Sequence, residues 1–84
     1  MTNYIKMEED LFLTDLDLNQ KGEVISIVGG LTVVKRLADL GLTSGTIVEV
    51  INKAPFSGPI KIEVRGSRLA LGRGLASKIL VKII

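Results

Sequence analysis

The sequence contains no cysteine, no histidine and no tryptophan. Without cysteine there are no disulfides. Without cysteine or histidine there is no zinc site of the usual ligands, and no thiol or Ser-His nucleophile. Histidine is also the side chain that most readily serves as a base near neutrality. Ser26, Ser44, Ser57, Ser67 and Ser77 have no activating neighbour in the sequence, and Glu49 and Glu63 fall on outward strand positions, so an enzyme is not expected. Aromatic residues are few: Tyr4, Phe12 and Phe56. The core must therefore be built from Val, Ile and Leu. No apolar run is long enough to cross a bilayer. The longest uncharged stretch, Val24 to Val34, is broken by Gly29-Gly30 and falls short of the roughly 18 residues required. The chain does not open on a basic segment followed by an apolar one, so a cytoplasmic location is expected.

What is present fits one small domain of 84 residues. Its most informative stretch is Arg36 to Val50. Val33, Leu37 and Leu40 lie at i, i+4 and i+7 and share a helix face, which Val34 widens. The spacing predicts a helix over about 32–40, with Thr32 as the cap. Gly41 stands where a left-handed residue ends a helix, and Leu42 would fold back on Leu37, as in a Schellman ending. After a short turn closed by Gly45 the apolar spacing changes to alternation.

Five strands are expected. Glu23 to Val28 is β-branched and apolar on both faces. Thr46 to Lys53 sets Val48 and Val50 against Ile47 and Ile51. Ile60 to Arg65 turns Ile60, Ile62 and Val64 inward and Lys61, Glu63 and Arg65 outward. Arg68 to Leu71 turns Leu69 and Leu71 inward, and Ile79 to Ile83 does the same with Ile79, Val81 and Ile83. Gly66-Ser67 reads as a tight hairpin turn, Pro55 to Pro59 as a longer hairpin loop, and residues 74–78 as a single helical turn. Short strands with tight connections and one helix imply a mainly β fold, a small and strongly bent barrel. Residues 1–12 read as a flexible N-terminal extension, in which Tyr4, Ile5 and Phe12 could add a strand or a flap. Residues 13–84 read as the domain.

Charge is unevenly spread. Glu8, Glu9, Asp10, Asp15 and Asp17 crowd the first 22 residues, whereas Lys61, Arg65, Arg68, Arg73, Lys78 and Lys82 follow residue 54 with Glu63 as the one acid. Such a pattern suits an ordinary dipolar surface or a basic face for an acidic partner. The acids lack the spacing of a calcium loop, so no metal ligands are assigned. Gly72-Arg73-Gly74 lacks the strand, lysine and helix of a phosphate-binding loop. Phe56, between two prolines, serves either as an anchor for a partner or as a plug folded over the barrel mouth. Lys61, Arg65, Arg68 and Arg73 are expected to form one continuous basic patch beside it, and Arg73, freed by its glycines, could reach outward. A basic barrel that binds nucleic acid is the alternative, weakened by the shortage of stacking aromatics.

The order of motifs resembles the FeoA family of the bacterial ferrous iron uptake system. Arg36, Leu37, Leu40, Gly41, Leu42 and Gly45 match its Arg-Leu-x-x-Leu-Gly-Leu-x-x-Gly core. Ala54, Pro55 and Pro59 match its loop, and Ala70, Leu71, Ala76, Ile79 and Val81 its terminal element. Leu13-Thr14-Asp15-Leu16 and Gly22 fit as well, whereas Gly72 stands where many members carry a charge. The resemblance implies an SH3-like barrel with the helix inserted after the first strand. It also implies a role without catalysis or cofactor, as a module acting on the membrane transporter FeoB, whose cytoplasmic part includes a GTP-hydrolysing domain. The membrane would be met only through that transporter. A transition-metal role attaches to the family by kinship with iron-dependent repressors, but this chain lacks the side chains that bind ferrous iron best.

Overall fold

The computed structural model describes residues 10–84. Six antiparallel strands form one sheet in the order β1-β6-β2-β3-β4-β5. In chain order they are β1 (Asp10–Phe12), β2 (Lys21–Ile27), β3 (Ile47–Lys53), β4 (Ile60–Val64), β5 (Ser67–Leu71) and β6 (Ile79–Ile83). Two helices interrupt them: α1 (Leu31–Asp39) after β2, and the single turn α2 (Arg73–Ala76) after β5. A 3-10 turn at Leu13–Asp15 follows β1, tied by the Asp15 carboxylate, which accepts the Phe12 N–H at 2.9 Å. The expected flap at Tyr4 and Ile5 and the acids Glu8 and Glu9 lie outside the described residues. Residues 10–12 belong to the sheet: Asp10 pairs with Lys82 and Phe12 with Leu80. This strand brings the total to six, and α1 therefore follows the second strand.

Alternation decides which side chains form the core. β4 buries Ile60, Ile62 and Val64, and β3 buries Val48 and Val50. Together with Leu13, Leu16, Val24, Leu37, Leu71, Ile79 and Val81 these form one cluster. Bulges interrupt β2 between Val24 and Ser26 and β3 between Val50 and Asn52. Each adds local twist, which lets a sheet of short strands curl around so small a core. Both bulges fall on an isoleucine, Ile25 and Ile51, where a regular strand was expected. β6 also departs from simple alternation. Leu80 is fully buried, between Phe12 on β1 and Ser26 on β2, whereas Ile83, expected inward, is 42% exposed. Ile83 lies opposite Gly22, which offers it no side chain.

The helix ends as its sequence predicts. Gly41 has φ +87°, its N–H donates to Ala38 O at 2.9 Å, and the Leu42 N–H donates to Leu37 O at 2.9 Å. This is the double bond pattern of a Schellman ending. Leu37 and Leu42 are both fully buried. Its start differs. Gly30, not Thr32, is the N-cap, and no side chain caps the first turn. Leu40 does not join the core stripe and stays 42% exposed, because the Schellman turn hands its place to Leu42.

Candidate functional site

The loop from β3 to β4 spans residues 54–59 and carries Phe56 at its tip. Its base is closed by the Ala54 N–H donating to Pro59 O at 3.1 Å. Inside it, the Gly58 N–H donates to Pro55 O at 3.1 Å, closing a four-residue turn. The two central residues, Phe56 (φ +58°) and Ser57 (φ +60°), are both left-handed, the signature of a mirror-image turn usually built from Asn and Gly. A side chain at Gly58 would meet the Ala54 Cβ at 2.8 Å, so the loop is closely folded on itself. The Phe56 ring is 99% exposed. It does not plug the barrel.

Arg73, the first residue of α2, holds this loop from the side. Its Nε donates to Gly58 O at 2.9 Å and its Nη2 to Ala54 O at 3.3 Å. One guanidinium thus bridges the two limbs of the turn. α2 is itself seated by Ala76, which is fully buried. The side chain expected to reach outward is therefore spent on the protein's own backbone.

Of the other three bases, Lys61 stays at the Phe56 end of β4, whereas Arg65 and Arg68 lie toward the far end of the hairpin. β4 runs from the Phe56 loop at Ile60 to a second turn beyond Val64, about 13 Å away at the usual rise per residue. That turn is Arg65-Gly66, one residue earlier than expected. Val64 pairs with Ser67, and both turn residues have positive φ, +52° and +81°. Arg65 is thus a turn residue and not an outward strand position, and its Nη2 reaches Thr46 Oγ1 at 3.4 Å. Arg68 pairs with Glu63 through a single 3.4 Å contact, both side chains largely exposed. The Lys61 side chain is exposed and, alone of the four, makes no hydrogen bond or ion pair among the described residues. The expected continuous basic patch is divided between the two ends of the hairpin. It is further broken by a row of charges across four strands, Lys21, Glu49, Glu63 and Arg68, whose two carboxylates face each other on β3 and β4.

A second surface went unanticipated. A depression of about 300 Å³ lies between α1 and β2, lined by Ile25, Ile27, Val34, Ala38 and Leu42 together with the hydroxyl residues Ser26, Thr43 and Ser44. Beside it Leu31 is 83% exposed and Val28 is exposed too. The signal was present in the sequence: a nine-residue helix carrying Leu31, Val33, Val34 and Leu37 has more apolar residues than one buried stripe uses. Among the described residues no three carboxylates cluster as metal ligands, and no helix is long and apolar enough to cross a membrane.

Comparison with known proteins gives a consistent picture. A family model described as the FeoA domain matches residues 12–83. A Methanocaldococcus jannaschii protein assigned as an Fe(2+) transport protein A is 39% identical over 59 residues, 70% of each chain. The crystal structure of an iron uptake regulatory protein, FeoA, superposes with a TM-score of 0.82 at 35% identity, covering 89% of this chain and 97% of its own. The solution structure of a FeoA-like protein from Clostridium acetobutylicum gives 0.82 at 32%, covering 93% and 91%.

Proposed function

The chain belongs to the FeoA family of ferrous iron transport and has its SH3-like barrel, and we propose that it is a cytoplasmic docking module that binds the cytoplasmic part of the FeoB transporter without catalysing a reaction. The observation that carries this reading is Phe56. A large apolar ring, 99% exposed, sits on a backbone that L-residues with bulky side chains rarely adopt. The ring buries no appreciable surface there, and residues that break local rules without a packing return are where function is to be sought. A rigid loop offering one aromatic ring is the form of an interface anchor. The absence of histidine and cysteine from the sequence supports binding over chemistry.

Nucleic-acid binding is less well supported. Arg65 and Arg73 are engaged internally, and Phe56 is the one fully exposed aromatic among the described residues. Co-purification tests the choice. The whole chain should retain the transporter's cytoplasmic part and leave random-sequence RNA unbound. Retention of RNA alone would reverse the assignment.

A further inference from the structure

We infer that Arg73 is a positioning residue: it does not touch the partner but holds the Phe56 loop in the conformation that presents the ring, and the partner site for that ring is an uncharged apolar pocket. The inference rests on the docking role proposed above and adds how the anchor is held and what receives it.

The loop needs holding. Phe56 and Ser57 both sit in the left-handed region, which L-residues adopt only at a cost. Both side chains are exposed, so packing at the tip does not offset that cost. The compensation comes from the base. Arg73 donates to the carbonyls of Ala54 and Gly58, one before and one after the strained pair. Hydrogen bonds from a charged donor are roughly twice as strong as neutral ones, and a planar fork fixes two acceptors relative to each other. Gly72 and Gly74 on either side have open space where a side chain would be, so neither flanking position crowds Arg73. No ion pair forms between Arg73 and a carboxylate among the described residues, so the guanidinium has no competing partner there.

The same geometry defines the receiving surface. Residues 54–60, Ala-Pro-Phe-Ser-Gly-Pro-Ile, carry no charge. Arg73 is turned to the loop's backbone, Lys61 stands outside the loop on β4, and Arg65 and Arg68 lie toward the far end of the β4–β5 hairpin. What the tip offers is a ring framed by prolines, which suits an apolar cavity and not an acidic groove.

Two measurements test this, and the first needs no partner. Amide hydrogen exchange at Ala54 and Gly58 reports whether the loop's own hydrogen bonds stay closed. Arg73→Ala should speed both at least tenfold while amides of β3 and β4 keep their protection. Arg73→Lys keeps the charge but cannot bridge two carbonyls as a fork does, and should restore only a minor part. Unchanged exchange in Arg73→Ala would overturn the inference whatever the protein binds. The second is a double-mutant cycle for binding to the transporter's cytoplasmic part. If losing the strut leaves the loop competent about a tenth of the time, Arg73→Ala weakens binding about tenfold. With Phe56→Ala already present, it should weaken binding less than twofold. An equal loss in both backgrounds means that Arg73 contacts the partner itself and refutes the positioning role. A Phe56→Ala protein that binds as well as wild type would remove the docking reading, while the exchange result would still decide whether Arg73 holds the loop.

Discussion

Phe56 and Ser57 show at the scale of single residues how a local rule is broken for a purpose. Ser57 has φ +60° and an exposed side chain, so Ser57→Gly removes backbone strain and leaves the ring in place. The relief of about 1–2 kcal/mol is partly offset by glycine's greater loss of freedom on folding, about 0.5–1 kcal/mol. Chemical denaturation should therefore show a net gain of about 0.5–1 kcal/mol. A loss of stability would mean that the left-handed pair is not strained. Arg73 illustrates a limit of reading side chains from spacing. Flanking glycines in the sequence promised a free arginine, yet its partners are carbonyls 15 and 19 residues away. Backbone carbonyls carry no sequence signature, so no spacing rule announces such a bond.

Elements follow from their sequences to different degrees. β4 alternates as its residues dictate, and the end of α1 was legible down to Gly41 and Leu42 because capping depends on neighbouring residues alone. The burial of α1 was not, since it depends on how the helix lies on the barrel. Only Leu37 is fully buried in it, while Leu31 is 83% exposed. Leu37→Ala should cost about 2–5 kcal/mol in thermal or denaturant unfolding, as core truncations do. Leu31→Ala should stay within about 0.5 kcal/mol of wild type. Equal effects would place the helix on a different face. The β4–β5 turn was displaced by one residue because Arg65 is an unusual occupant of a left-handed position. Arg65→Asn creates the Asn-Gly pair this turn prefers and gives up only a 3.4 Å contact with Thr46. Stability should rise by about 0.5–1 kcal/mol, part of the usual left-handed penalty. A lower unfolding midpoint would show that the Thr46 contact outweighs the strain.

At the scale of the molecule the described residues form a barrel with an aliphatic core, an exposed ring on one loop and a largely apolar depression beside α1. The family was legible in the order of four motifs, but the basic patch inferred from composition was not real as a unit. The sequence places Arg65, Arg68 and Arg73 within nine residues, whereas the hairpin sends them to opposite ends. Its chemistry bears equally on iron. With no histidine or cysteine anywhere in the chain, anaerobic calorimetry should show no submicromolar ferrous site on the isolated protein. A stoichiometric heat at that affinity would assign the metal to carboxylates. Docking through Phe56 remains the central claim, and the dissociation rate from the transporter's cytoplasmic part tests it most directly. A packed aromatic anchor is worth about 2 kcal/mol or more when truncated, roughly a thirtyfold change that falls mainly on dissociation. Phe56→Ala should therefore release the partner about thirtyfold faster, with the association rate and the fold of the domain little changed, since the ring is 99% exposed. Release at the wild-type rate would contradict the account.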